Sequence, residues 1–436
     1  MPLLLPLLGL HAAANAVQSA NATFSLFADY TGEKFFEGFD FFTKADPTSG
    51  CVDFLGHGEA KEAGLIGVNT QGQVYMRTDN TTIRPSMRNH TARPSIRVTS
   101  KRTFDPKTLS GRANESGAIL VVLDVAHMPT GCGVWPAFWM NSAVGHWPAD
   151  GEIDVIEGVN RDTANSFTLH TTPGCSQAST RDSSFSGKRK LNKNQTASAT
   201  DCYIHAPGQG NNQGCSIGAG DVSGTYGAPF NSAGGGVYVM LWTYDADAAA
   251  QYDGKIALWF FERGQDIPSD LLDPHGHPQP PTGRPLGLFH TGSSCPARHF
   301  NEQQFIFDIT LCGQWAGNVF NHDCPMHATA NMTSRQSCEA YVAASPSAFS
   351  ESRWELNSLR VFSTSAPAVD GPPQRTQHWL LVFVALGCAL VVLIACVVVS
   401  RRMGADTPAR QQLTQPINQQ ASHVAAGHVA NLLSAW

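Results

Sequence analysis

Gly151-Glu-Ile-Asp-Val-Ile-Glu-Gly158 places Glu152, Asp154 and Glu157 among Ile153, Val155 and Ile156. β-Branched residues at this density favour an extended strand over a helix. In a regular strand Glu152 and Asp154 share one face, and Ile153 and Val155 the other. Strict alternation would then leave Ile156 beside the acids and Glu157 among the apolar side chains. A single bulge between Asp154 and Glu157 reverses this and brings all three acids to one face. The stretch therefore predicts a bulged strand with an acidic face.

Three carboxyls on one face raise each other's pKa, so at least one tends to keep its proton. One ionised and one protonated carboxyl is the pairing used to break glycosidic bonds. Upstream lie Trp135, Trp139 and Trp147, whose flat apolar faces suit the C–H faces of sugar rings. An exposed acidic strand could carry the same three acids. The flanking tryptophans and the Gly-Val-Asn turn that follows argue against it. Phe167-Thr-Leu-His-Thr171 alternates as a strand does, and a neighbouring antiparallel strand could set His170 beside the acids. A hydrogen-bonded structural histidine is the other reading.

From Trp135 to Asn160 the chain resembles glycoside hydrolase family 16, in its fungal endo-1,3(4)-β-glucanase (laminarinase-like) branch. That branch reads W-P-A-F-W, a short loop, then G-E-I-D-[IV]-I-E-G-V-N. The resemblance continues through F-F-x-x-F-D-F near residue 35, T-x-H-T-x-x-G-C near residue 168, G-G-G-V-Y-x-M-x-W near residue 234 and C-G-D-W-A-G near residue 312. It closes on W-x-[IL]-N-S-[LV]-[RK]-V-[YF] at residues 354–362. Leu241 stands where many relatives carry Glu, and Gln314 where the family has Asp. By position, the resemblance implies Glu152 as nucleophile, Glu157 as general acid/base, and Asp154 between them tuning their protonation. It supports His170 beside the acids. Trp315 is either a sugar platform or a packing residue. The resemblance implies a two-sheet β-jelly-roll sandwich of the concanavalin A-like kind with an open cleft. It implies a β-glucan polysaccharide as substrate and no cofactor. Some relatives hold a structural calcium ion, for which this sequence shows no ligand cluster.

Residues 73–77 and 95–100 alternate as half-buried strands do, 118–124 reads as a buried strand, and 234–242, 256–263 and 305–311 as further strands, in agreement with an all-β fold. Residues 35–42 read as an opening strand that serves packing, and residues 78–94 as a surface loop. Turns between many strands need the 40 Gly and 26 Pro present. A net charge of −6 marks no nucleic-acid partner, and the expected state is a monomer. Nine of eleven cysteines lie between Cys51 and Cys338, and six N-x-[ST] sites accompany them. Together they indicate an oxidising compartment and disulfides. We expect one bridge within Cys175, Cys202 and Cys215 and another within Cys312, Cys324 and Cys338. Cys51, Cys132 and Cys295 stay unassigned. His275 and His277, in a Pro-rich loop, read as solvated residues.

Residues 1–16 read as a signal peptide, with a short apolar run and Ala-Asn-Ala as its cleavage site, although a positive n-region is missing. Residues 17–362 form the catalytic domain and 363–378 a Pro/Ser/Ala linker. Residues 379–400 are apolar and long enough to span a bilayer as one helix, with Arg401 and Arg402 following. Residues 401–436 make a short polar cytosolic tail. The expectation is a single-pass type I membrane protein of the secretory pathway or cell surface, its catalytic domain luminal or extracellular. Three activities fit: an endo-β-glucanase, a cell-wall glucan transglycosylase, and a non-catalytic carbohydrate binder. Intact acids favour the first two.

Overall fold

A computed structural model describes residues 23–83, 92–109, 116–246 and 252–364. Its strands, in chain order, are β1 (Ser25–Tyr30), β2 (Phe39–Phe41), β3 (Val52–Phe54), β4 (Ile66–Val68), β5 (Val74–Arg77), β6 (Arg93–Ser95), β7 (Arg97–Ser100), β8 (Gly117–His127) and β9 (Val134–Ser142). They continue as β10 (Glu152–Glu157), β11 (Ser166–His170), β12 (Lys188–Arg189), β13 (Cys215–Gly218), β14 (Gly236–Tyr244), β15 (Tyr252–Glu262), β16 (Gly287–Gly292), β17 (Gln303–Leu311) and β18 (Arg353–Ser363). Two antiparallel sheets result. One runs β16-β15-β14-β8-β18-β5-β4, with β1 also on β18; the other runs β12-β13-β11-β10-β9-β17-β7-β2. The acidic strand β10 thus lies near the middle of its sheet. β3 and β6 pair in parallel as a small separate ribbon.

Alternation decides which side chains fill the space between the sheets. Phe138 of β9 stacks on Phe305 and Phe307 of β17, with ring centroids 5.5 and 4.5 Å apart. Phe307 meets Trp354 of β18 at 5.6 Å, and the Trp354 indole N–H donates to the Asp308 carbonyl 3.1 Å away. Trp354 therefore ties one sheet to the backbone of the other directly behind the acidic face. Truncating such a ring costs about 3–5 kcal/mol. The sandwich of antiparallel sheets agrees with the fold that the resemblance implies.

Residues 35 and 36 depart from the expected opening strand. Gly32–Gly38 is a 3-10 helix, and only Phe39–Phe41 is extended. Gly32 at φ +55 turns the chain, and Phe35 folds back onto Phe39 at 4.6 Å. Both rings are buried, as a packing role requires. The expected surface loop at residues 78–94 is anchored at both ends. Thr78, Asp79 and Arg93 are buried, and Arg93 donates to the Val342 and Asp79 carbonyls. Residues 84–91 lie outside the described set. The stretch around Cys324 and Cys338 forms two helices, Ala316–Asp323 and Ser334–Ala344.

Both expected bridges are present, as Cys202–Cys215 and Cys312–Cys338. The unassigned Cys132 joins Cys324, Cys295 joins Cys175, and Cys51 is free. Two of these bridges pin the helices to the ends of β9 and β17. No helix among the described residues is long and apolar enough to cross a membrane. The signal peptide at 1–16 and the helix at 379–400 lie outside those residues.

Candidate active site

The bulge falls where the acids require it. Asp154 pairs with Trp139, and Ile156 with the next residue, Phe138, so Val155 is the extra residue of β10. Glu152, Asp154 and Glu157 consequently stand opposite Asn141, Trp139 and Ala137, the alternate residues of β9 that share one face. Ile153, Val155 and Ile156 are buried. On one flank His170 of β11 sits opposite Glu152. On the other, Ala137 pairs with Asp308 of β17, which pairs in turn with Arg97 of β7.

Each upstream tryptophan gives its indole N–H to a carboxylate on this face. Trp147 donates to Glu152 at 2.8 Å, Trp135 to Glu157 at 3.0 Å and Trp139 to Asp308 at 3.1 Å. Trp147 is 43% exposed, an apolar surface at the edge of the acids, whereas Trp135 and Trp139 are half-buried. Trp315, after β17, meets Trp135 edge-on with centroids 5.7 Å apart. It is half-buried against that ring, so it joins the aromatic wall of the site.

Burial, more than any neighbour, holds protons on this face. It pushes Glu152 up to about 8, with Asp154 adding to the rise and His170 opposing it. It pushes Glu157 to about 7, again with Asp154 adding and His170 opposing. Asp154 is driven well above the carboxylate range by burial and then by Asp308. Its Oδ2 lies 3.3 Å from His170 Nε2, although not aligned as a hydrogen bond. Glu152 Oε1 is 3.8 Å from the same nitrogen. Gly214, at φ +60, passes over the imidazole where a Cβ would come within 2.9 Å of Nδ1. Burial raises Glu152 and Glu157 alike, so burial alone does not divide the acids into attacker and proton donor. Carboxyls coupled this closely titrate as a set rather than one by one.

Asp308 is the member the motif does not contain. Burial raises it to about 7, partly opposed by Arg97. The alternation of Phe305-Ile-Phe-Asp-Ile-Thr-Leu311 shows it: Phe305, Phe307 and Ile309 turn inward, leaving Asp308 on the acidic face. Asp46 is a second unforeseen neighbour, accepting from Thr48, Gly50 and Thr310. Arg97 is a third, its guanidinium between the Phe42 and Trp139 rings. His275 is exposed, and His277 contacts the Phe24 carbonyl. Among the described residues, Glu152, Asp154 and His170 bring ligand atoms within 4.8 Å of one another. Calcium takes six to eight oxygen ligands, and two carboxylates with an imidazole do not suit it.

A β-sandwich with paired carboxyls on a tryptophan-lined face defines a carbohydrate-active site. Residues 39–362 match the family model described as the XgeA-like catalytic GH16 domain, and the chain belongs to glycoside hydrolase family 16. It is similar to a probable endo-1,3(4)-beta-glucanase of Aspergillus niger, 38% identical over 354 residues, which are 80% of this chain and 41% of that protein. A probable glycosidase of Schizosaccharomyces pombe is 37% identical over 78% of this chain and 69% of its own length. The chain thus spans about two-fifths of the Aspergillus relative. Among solved structures, an elongating family 16 β-1,3-glucosyltransferase is 33% identical with a TM-score of 0.64, covering 78% of this chain and all of its own. Laminarinase 16A from Phanerochaete chrysosporium, holding β-glucans in donor and acceptor sites, is 30% identical at 0.62, with 78% and 100% covered.

Proposed function

We propose that the chain is an endo-β-glucanase that hydrolyses 1,3- or mixed 1,3/1,4-linked β-glucan with retention. The observation that carries this is the bulge at Val155, which aligns Glu152, Asp154 and Glu157 along a wall of tryptophans. Glu152 attacks the anomeric carbon, while Glu157 gives its proton to the departing oxygen. Water, deprotonated by Glu157, then releases the glycosyl-enzyme. Retention needs the two carboxyls about 5–5.5 Å apart. Asp154, buried and protonated between them, limits the charge they share. Trp135, Trp139, Trp147, His170 and Trp315 form the walls against which the glucan lies. No metal takes part in either step.

A second reading, a glucan transglycosylase, is favoured by the structural likeness to a β-1,3-glucosyltransferase. It uses the same intermediate with a sugar hydroxyl in place of water. The chain acts as a monomer on the luminal or extracellular side of a membrane. A signal peptide at 1–16 brings it there, and a helix at 379–400 holds it, with residues 401–436 on the cytosolic side. The full-length chain, incubated with laminarin, lichenan and a labelled oligosaccharide acceptor beside Glu152→Ala, tests this. New reducing ends lost in the variant support hydrolysis. Labelled acceptor products without new reducing ends support transfer. Binding without turnover overturns both.

A further inference from the structure

Lys190 reaches the acidic face from an unexpected quarter. It follows β12 at the sheet's edge, within the stretch between Cys175 and Cys215. Its N–H donates to the Ser216 carbonyl, and its own carbonyl accepts from Ala199, so its backbone is fixed. Its stem runs past Gly218, where an added Cβ would lie 3.9 Å from Lys190 Cε. The ammonium ends 5.3 Å from the ring centre of Trp315. Trp315 belongs to the other flank, after β17, with β13, β11, β10 and β9 between. The two flanks therefore meet beside the Glu157 end of β10. From there the contacts run in series: Lys190 on Trp315, Trp315 on Trp135, and the Trp135 N–H on Glu157 Oε1.

The charges facing Glu157 can be named element by element. Glu152 and Asp154 lie on β10 itself, His170 on β11, Asp308 on β17, Tyr226 after β13 and Lys190 beyond β12, with Asp162 beside the lysine. Asp154 and Asp308 oppose ionisation of Glu157; His170 and Lys190 favour it. His170 already faces Glu152 and Asp154. Lys190 is thus the cation set on the Glu157 side of the cluster.

We propose that Lys190 is a positioning residue for Glu157, seating Trp315 against Trp135, whose indole N–H donates to the acid, and stabilising the carboxylate left when Glu157 gives up its proton. This rests on the acid/base role assigned above. In the first step the Glu157 proton passes to the glycosidic oxygen as the C1–O bond breaks and the bond from C1 to Glu152 forms. In the second, water gives its proton to Glu157 as its oxygen bonds to C1 and Glu152 departs. Glu157 is anionic between the two steps, and there the ammonium acts. Burial favours a neutral lysine, and Asp162 and Glu157 hold the charge on it.

The test is a titration of the full-length chain labelled with carboxyl-13C glutamate, the Glu157 signal being assigned by its loss in Glu157→Gln. Removing the cation in Lys190→Met moves the Glu157 midpoint up by about half to one pH unit; Lys190→Arg returns it towards the wild-type value. The limb of the pH–rate profile on laminarin that carries Glu157 moves up with it. A purely structural lysine would lower the rate without moving either. An unchanged midpoint in Lys190→Met overturns the proposal, whatever the activity. A shifted midpoint in a chain that cleaves no glucan sustains the charge pairing and overturns only the hydrolase reading.

Discussion

Replacing Glu157 by Gln should make the protein more stable while it destroys activity, with a gain that depends on pH. Glu157 rises from 4.5 to about 7 in the fold, first through burial. Each pKa unit corresponds to 1.36 kcal/mol, so ionising Glu157 in the native site costs about 3 kcal/mol. Because the folded pKa is raised, the folded chain keeps a proton that the unfolded chain has lost between about 4.5 and 7. Native stability therefore falls as pH rises through that window. Below about pH 4 the residue is neutral in both states, and Gln changes little. Above pH 7 the whole cost is present, and Gln removes it. For a domain of roughly 320 residues the unfolding entropy is about 0.7 kcal/mol/K, so 3 kcal/mol corresponds to about 4 °C in Tm. Calorimetry of the two proteins at pH 4, 6 and 8 should show a gap that opens from near zero. Loss of the proton donor should lower turnover about 10²–10⁴-fold. A variant no more stable than wild type at pH 8, or a gap that ignores pH, would refute the electrostatic account.

Trp147→Phe keeps an apolar surface but removes the N–H given to Glu152. The Glu152 carboxylate loses a stabilising donor, so the limb of the pH–rate profile that reports it should move up and kcat/KM should fall about tenfold at acidic pH; an unmoved limb counts against the hydrogen bond. Asp308→Asn retains an acceptor for the Trp139 N–H, whereas Asp308→Ala leaves that donor unpaired. Urea denaturation near pH 6 should place the Ala variant about 1–3 kcal/mol below the Asn variant, and equal midpoints would show that the Trp139 contact carries no weight.

The strands were legible because alternation and β-branching act locally, and the bulge because a three-acid face has few other ways to form. Glu152, Asp154 and Glu157 are one strand's residues, so its period with a single bulge reveals them. Asp308 and Arg97 join the site through register between strands distant in sequence, and Asp46 through a loop that docks on Thr310, neither of which a local period encodes. Lys190 was hidden for the same reason, just past an edge strand inside a long loop. The helices Ala316–Asp323 and Ser334–Ala344 are short and lean on disulfides and tertiary contacts, so their pattern is faint. Phe35 and Phe36 have strand-like chemistry, but a left-handed glycine and packing on Phe39 win over propensity. Two bridges followed from neighbouring cysteines; Cys132–Cys324 and Cys175–Cys295 close separations of 192 and 120 residues, which only the fold can bring together.

The account turns on Glu152 forming a covalent bond to sugar. An activated 2-deoxy-2-fluoro laminaribioside slows release of that intermediate, so peptide mass spectrometry can locate the sugar. The account predicts one added glycosyl group on the peptide containing residues 152–157, attached at Glu152 and absent from Glu152→Ala. Sugar on another residue, or an unlabelled enzyme that releases inverted product, would contradict it.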